Sequence, residues 1–236
     1  MKIGLMVNGL AVDACYRDDE IENVHKPFLQ QLAKIHIAKA QPRTLVFLSA
    51  PPGTGKSTLT TFWEFLSRQD PALPEIQTLP MDGFHHYNAW LDNHGLRARK
   101  GAPETFDVDK LAQNLRQVRE GESHWPQYDR QKHDPVEDAI TVKAPIVIVE
   151  GNWLLLDDER WKALAKFCDY SVFIRAPADA LRDRLVNRKL AGGLSQADAD
   201  AFYARTDGPN VERVLRQSRP ADLLLEMSAS GEYRLA

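Results

Sequence analysis

Two cysteines in 236 residues, Cys15 and Cys168, are too few for a disulfide framework, and no metal-ligand cluster accompanies them. They read as the ordinary thiols of a reducing compartment. No stretch approaches about 18 consecutive apolar residues, which excludes a transmembrane helix. Charge of one sign is lacking too. Thirty basic against 33 acidic residues leave a formal net charge of −3, with neither a nucleic-acid footprint nor an acidic tail. The opening MKIGLMVNGLAVDACY is mildly apolar, but Asn8-Gly9 interrupts it and acidic residues follow, so it fits a signal peptide poorly. Cytoplasmic localisation is the expectation. Internal repeats and low-complexity tracts are absent. What is present, 43% hydrophobic and 27% charged residues, is the composition of an ordinary globular chain, long enough for one large α/β domain or two small ones.

The most informative stretch is Thr44 to Thr61, TLVFLSAPPGTGKSTLTT. Leu45-Val46-Phe47-Leu48 reads as a buried strand. The small-residue loop Ala50-Pro51-Pro52-Gly53-Thr54-Gly55 follows, then Lys56-Ser57-Thr58 and a helical pattern. Strand, glycine-rich turn, GK[ST] and helix make a P-loop, with Ala50 where the first glycine usually stands. Gly53 and Gly55 permit backbone angles and close approach that a Cβ would forbid. Loop N–H groups and the helix N-terminus can then surround a polyphosphate. Lys56 can reach the β- and γ-phosphates, and the Ser57 hydroxyl can sit on Mg²⁺. Residues 50–58 are therefore the expected ATP-binding residues.

Along the rest of the chain, strands and helices alternate. Residues 1–16 read as a hairpin, with Asn8-Gly9 as its turn. Residues 17–43 read as one helix with Pro27 in its first turn. This N-terminal appendage, 1–43, is expected to lie outside the nucleotide-binding core of 44–236. The P-loop helix should turn Leu59, Phe62, Phe65 and Leu66 inward. A second strand, 76–81, runs into Asp82, and a long polar segment, about 83–104, reads as a substrate-covering loop. Residues 125–135, WPQYDRQKHDP, read as a polar loop before the apolar strand 146–149, which ends in Glu150. Strands at 170–174 and 222–227 complete five. The expected architecture is a P-loop NTPase of kinase type, three layers α/β/α around a mostly parallel five-stranded core sheet, plus the N-terminal hairpin and helix. Ligands in such sheets bind at the carboxyl ends of the strands. The P-loop, Asp82 and Glu150 all fall there.

That convergence is the chemistry of phosphoryl transfer, which needs positioning and charge stabilisation more than covalent chemistry. Lys56, Asp82 and Glu150 are the catalytic candidates. Ser57 and Glu150, directly or through water, would hold Mg²⁺. Asp82 would accept a proton from, and orient, an acceptor hydroxyl. His85, His86, Tyr87 and Tyr128 suit polar recognition of a hydroxylated molecule. Arg97, Arg99, Lys100 and Arg130 leave a phosphate-bearing acceptor, as in a nucleotide kinase, open. A regulatory ATPase that switches a protein partner is the other alternative, against which Asp82 and its long following loop argue.

Six segments, APPGTGKS, MDGFHHYN, RKGAPETFD, PQYDRQKHDP, IVIVEGNWLLL and RDRLVNRKLAGG, resemble in order and kind the uridine kinase, pantothenate kinase and phosphoribulokinase family of P-loop small-molecule kinases. As a whole the chain is similar to the functionally uncharacterised YggC-type bacterial members, sometimes labelled fructose-transport-associated kinases. The resemblance covers about residues 44–227. It implies Asp82 as the catalytic acid/base and Glu150 as the acid ending the Walker-B-like strand. It also implies Tyr128 and His133 as substrate contacts, with Arg184 and Arg188 in a lid, about 184–206, that closes over the phosphates. Spacing of i, i+4 places those two arginines on one helix face. Substrate contacts are thus expected from Asp82, His85, Tyr87, Arg99, Tyr128, Arg130 and His133. The implied partner is a small hydroxylated metabolite, with no nucleic acid and no membrane. The oligomeric state stays open, a homodimer among the options, as does the acceptor: pantothenate-, nucleoside- or sugar-like.

Overall fold

The protein is described here by a computed structural model that places residues 1–121 and 123–236. The chain opens with an antiparallel pair, β1 (Lys2–Val7) and β2 (Leu10–Cys15), in register Val7 to Leu10. Asn8 and Gly9 turn it at φ 50° and 80°, the left-handed angles that the Asn-Gly pair supplies cheaply. The helical run expected next is not uniform. It comprises α1 (Asp18–Glu20), a π-helical turn (Ile21–His25) and α2 (Lys26–Lys39). The Lys26 N–H reaches back to the Ile21 carbonyl, so the helix widens just before Pro27, which has no N–H to give.

The central elements follow the expected alternation. They are β3 (Thr44–Ser49), α3 (Lys56–Gln69), β4 (Ile76–Pro80), α4 (Asn88–Asn93) and α5 (Val108–Glu120), then β5 (Ser123–Asp129), β6 (Asp134–Val142) and β7 (Ile146–Gly151). After them come α6 (Glu159–Lys162), β8 (Tyr170–Arg175), α7 (Ala178–Ala191), α8 (Gln196–Phe202), α9 (Gly208–Gln217), β9 (Leu223–Met227) and β10 (Tyr233–Leu235).

The core sheet has six strands rather than the expected five, in the order β10-β9-β8-β3-β7-β4. Five are parallel, and β10 joins antiparallel at the edge, Tyr233 opposite Met227. Three residues with one buried side chain carry too little pattern to read as a strand. A second correction concerns residues 125–135, which are not a loop. They belong to a hairpin, β5–β6, whose strands bulge between Trp125 and Gln127. The bulge accommodates Pro126, a residue that otherwise argues against a strand.

Both faces of the sheet are covered. Along β3, Val46 and Leu48 join one core with α3, α7 and the N-terminal segment, while Leu45 and Phe47 join the other with α5 and Trp125. Strands buried on both faces explain the uninterrupted apolar runs of β3 and β7. On α3 the inward residues are Leu59, Phe62, Trp63 and Leu66, and Phe65 is only partly buried. Trp63 replaces Phe65 because Phe28 of α2 packs on it, ring centroids 4.5 Å apart. Residues 1–43, expected as an appendage, share this core through Leu5, Val7, Tyr16, Phe28 and Leu32. No helix among the described residues is long and apolar enough to cross a membrane.

Candidate active site

The carboxyl edge of the sheet gathers the candidate residues. Parallel register sets Ser49 beside Gly151 and Pro80 beside Glu150, so the P-loop, the Glu150 carboxylate and the turn carrying Asp82 leave three adjacent strands. Gly53 and Gly55 adopt φ 89° and 76°, angles an L side chain rarely takes. A Cβ on Gly53 would stand 3.1 Å from Leu185 Cγ, which shows how closely α7 covers the loop. Ala50 and Thr54 are buried, and the Thr54 hydroxyl donates to the Pro51 carbonyl at 3.0 Å, tightening the Pro51-Pro52 turn.

Lys56 and Ser57 point at partners beyond the loop. The Lys56 ammonium donates to Asn152 Oδ1 at 2.6 Å, and the Ser57 hydroxyl donates to Glu150 Oε1 at 2.6 Å. Burial pushes the Glu150 carboxyl above the usual carboxylate range, opposed by the Lys56 charge and the Ser57 hydrogen bond. Ser57 and Glu150 are hard oxygen donors on adjoining elements. Among the described residues no cluster of three or more histidine, cysteine, aspartate or glutamate side chains forms a metal cage. Two protein oxygens beside a phosphate cradle fit Mg²⁺, which keeps waters and binds through few carboxylates plus phosphate.

A cavity of about 330 Å³ opens over the loop. Gly53, Gly55, Lys56, Ser57 and Thr58 line it from below, and Arg184 and Arg188 of α7 from the side. Arg130, expected as a substrate contact, faces this same cavity from the β5–β6 turn. Among the described residues none of the three guanidinium groups makes a hydrogen bond or an ion pair. Three unpaired arginines and Lys56 around one cavity make a field for polyanions. The remaining wall is Val7, Asn8, Leu10 and Val12 of the N-terminal hairpin. A second cavity of about 380 Å³ shares Asn8, Leu10 and Arg130 and continues along Gln127, Tyr128 and Gln131.

Asp82 lies in a 3-10 turn, Met81–Phe84, immediately after β4. Two contacts fix that turn on the β5–β6 hairpin. Trp125 Nε1 donates to the Pro80 carbonyl at 2.9 Å, and Gly83 packs so closely that a Cβ there would stand 2.1 Å from the Pro126 oxygen. His85 donates from Nδ1 to the Asp82 carbonyl at 2.8 Å and sits between Phe106 and Tyr128, at centroid distances of 3.9 and 5.2 Å. Burial lowers the His85 pKa, so the ring is held neutral. Tyr128 is pushed up to about 12, chiefly by burial, and so remains a phenol; Lys100 Nζ lies 4.9 Å from its ring centroid.

Other expected contacts are engaged elsewhere. Tyr87 is exposed and donates to Glu137 on β6. Arg99 pairs with Glu104 and lines a separate cavity with Arg205 and Asn210. His133 is an exposed turn residue at φ 55°, and it is its carbonyl that accepts from Lys100 Nζ and Asn88 Nδ2, at 2.6 and 2.9 Å. The loop 83–104 is no open coil. It holds α4 and two 3-10 turns, and Trp153 Nε1 fastens it by donating to the Gly101 carbonyl at 3.0 Å. Asn152 and the hairpin tip carry no sequence signal of their own. Asn152 is two residues past Glu150, and position alone would have found it.

No protein-family model matches the chain. "Uncharacterized protein YggC" of Escherichia coli strain K12 is 70% identical over 233 residues, 99% of this chain and 98% of that protein. The "Putative uridine kinase" of Schizosaccharomyces pombe is 31% identical over 203 residues, 81% of this chain and 86% of its own. Among solved structures, a "putative fructose transport system kinase" from Silicibacter sp. TM1040 superposes with a TM-score of 0.75 at 34% identity, covering 83% of this chain and 98% of that one.

Proposed function

We propose, from the premise that this chain belongs to the family of P-loop small-molecule kinases that includes YggC and the uridine kinase relatives, that it transfers the γ-phosphate of ATP to a hydroxyl of a small metabolite. The observation that supports this most is the convergence of three adjacent strand ends, which bring the P-loop, Glu150 and the Asp82 turn to one edge beside a cavity lined by Lys56, Arg130, Arg184 and Arg188. In this reading the loop N–H groups and Lys56 hold the β- and γ-phosphates. Ser57 and Glu150 hold Mg²⁺, which when bound neutralises charge on the phosphates. Arg184 and Arg188 close on the phosphates from α7, and Arg130 approaches them from the acceptor side. Asp82 orients the attacking hydroxyl and takes its proton. His85 and Tyr128, neutral and packed together, form the wall against which the acceptor lies, and the loop 83–104, fastened by Trp153, shields the acceptor from water. The acceptor is a pantothenate-, nucleoside- or sugar-like molecule.

Two alternatives lose support. A nucleotide kinase would use free basic groups around the acceptor, and of the four candidates only Arg130 is free among the described residues: Arg97 pairs with Asp92, Arg99 with Glu104, and Lys100 with Asn88 and the His133 carbonyl. A regulatory ATPase has no use for an acid set beside a half-buried aromatic wall. The test is an ATP-consumption screen of purified protein against a panel of metabolite alcohols, repeated with Asp82→Asn. The variant keeps its size and should lose transfer by about 10²–10⁴-fold while Mg·ATP affinity stays within a few-fold. Wild-type turnover in the variant would remove Asp82 from the mechanism. Loss of ATP binding would instead move Asp82 into the metal–nucleotide shell.

A further inference from the structure

We propose that Tyr233 is a positioning residue of the phosphate loop, braced by a buried Glu20–His25–Trp63 network that ties the N-terminal segment and the last strand to α3. The proposal rests on the phosphate-transfer reading above. Its geometry starts at the peptide between Thr54 and Gly55. The Tyr233 hydroxyl donates to the Thr54 carbonyl at 2.6 Å. That peptide is trans, so its C=O and N–H point to opposite sides. Holding the carbonyl against Tyr233 therefore aims the Gly55 N–H the other way, toward the side where Gly53, Gly55 and Lys56 line the cavity. The Thr54–Gly55 peptide turns on Thr54 ψ and Gly55 φ, and a glycine, here at φ 76°, tolerates either orientation, so local sequence does not fix it. Gly55 also admits the phenol, since a Cβ there would lie 3.1 Å from the Tyr233 oxygen.

Tyr233 is itself held. Its backbone N–H donates to Glu20 Oε1 at 3.0 Å, and the same oxygen accepts from His25 Nε2 at 3.1 Å. His25 Nδ1 accepts from Trp63 Nε1 at 3.1 Å, which assigns the ring proton to Nε2 and leaves every polar atom of this chain of bonds in its proper role. Trp63 belongs to α3, the helix that the phosphate loop enters, so the circuit closes on itself. His25 and Trp63 are wholly buried, Tyr233 and Glu20 nearly so, and Tyr16 stacks on Phe62 beside them at 3.8 Å. Buried polar networks that are fully satisfied rigidify what they connect. Burial also pushes the Tyr233 pKa far above the usual tyrosine range, so the phenol stays a donor at any working pH. Residues 20 and 25, far from the P-loop in sequence, thus help to set the direction of one of its amides.

The test compares Tyr233→Phe with Arg234→Ala in the full chain. Phenylalanine keeps the ring packing and removes only the donor. Arg234 is the next residue on β10, exposed, and among the described residues pairs only with Glu226 at 2.7 Å, so its loss reports mere loosening of the strand. Two readouts are taken: amide hydrogen exchange at residues 53–56 without nucleotide, and ATP affinity by calorimetry. Tyr233→Phe should slow exchange at Gly55, because a peptide that flips turns its N–H out of the open cavity, and weaken ATP binding about five- to tenfold, the value of one hydrogen bond, with the acceptor KM unchanged. Arg234→Ala should leave both at wild-type values. Unchanged exchange or unchanged affinity in Tyr233→Phe overturns the proposal, as does an equal change in Arg234→Ala. If the wild-type protein bound no ATP while Tyr233→Phe still slowed Gly55 exchange, the brace would stand and the kinase reading would fall.

Discussion

Gly83→Ala is the sharpest probe of how Asp82, the proposed acceptor acid, is placed. A Cβ at Gly83 would stand 2.1 Å from the Pro126 carbonyl oxygen, 2.5 Å from its carbon and 2.9 Å from the Gln127 nitrogen. These are backbone atoms, so no side chain can swing away. The Asp82 turn and β5 must part by about 0.9 Å before the nearest contact reaches 3.0 Å. Overpacking of this kind costs about 1–3 kcal/mol, which lowers Tm by roughly 2–12 °C in a domain of this size. Function should suffer as well, because Asp82 rides on the displaced turn while Tyr128 stays with the strand. A misplacement of about 1 Å at a reacting group is worth about 10²-fold. The expected result is a folded variant with turnover down about 100-fold and ATP affinity near wild type, since the P-loop lies on another strand. The assays are a thermal melt, calorimetric ATP binding and ATP consumption with the acceptor found in the screen. Wild-type turnover and an unchanged melt would refute the claim that Gly83 sets Asp82 against β5.

Lys56→Ala should remove nearly all phosphoryl transfer and leave the fold intact, because Lys56 acts on charge that grows in the transition state, and circular dichroism beside turnover at saturating ATP checks both halves. Excess EDTA should abolish turnover and added Mg²⁺ should restore it, as two oxygen ligands on Ser57 and Glu150 suit a hard cation; full activity in EDTA would contradict the assignment. Arg43→Met should destabilise the protein by about 3 kcal/mol or more, read by urea titration, since the buried guanidinium donates to the Val118, Val142 and Ala144 carbonyls and its removal strands them.

The sequence alone determined whatever depends on contiguous residues. Gly53, Gly55, Lys56 and Ser57 lie within one turn, and their spacing is itself the geometry of a phosphate loop. Alternating apolar runs and helical periods determined the layered α/β order, because a strand buried on both faces has to be apolar throughout. Asn8-Gly9 determined the first hairpin through backbone angles alone. Tertiary structure decided what depends on distant partners. Arg130 and Arg99 carry the same side chain, yet one faces the cavity over the P-loop and the other pairs with Glu104. His133 and Tyr87 were expected at the substrate, but a turn at φ 55° gives His133 a structural role through its carbonyl, and Glu137 on β6 draws Tyr87 aside. Three-residue β10 is too short to read, but its pairing with β9 delivers Tyr233 to the Thr54 carbonyl. Asn152, Asn8 and Leu10 enter the site only through where the chain folds them. Local pattern reports which residues can be buried or turned; which charge ends up free, and facing what, is settled by packing between elements remote in sequence.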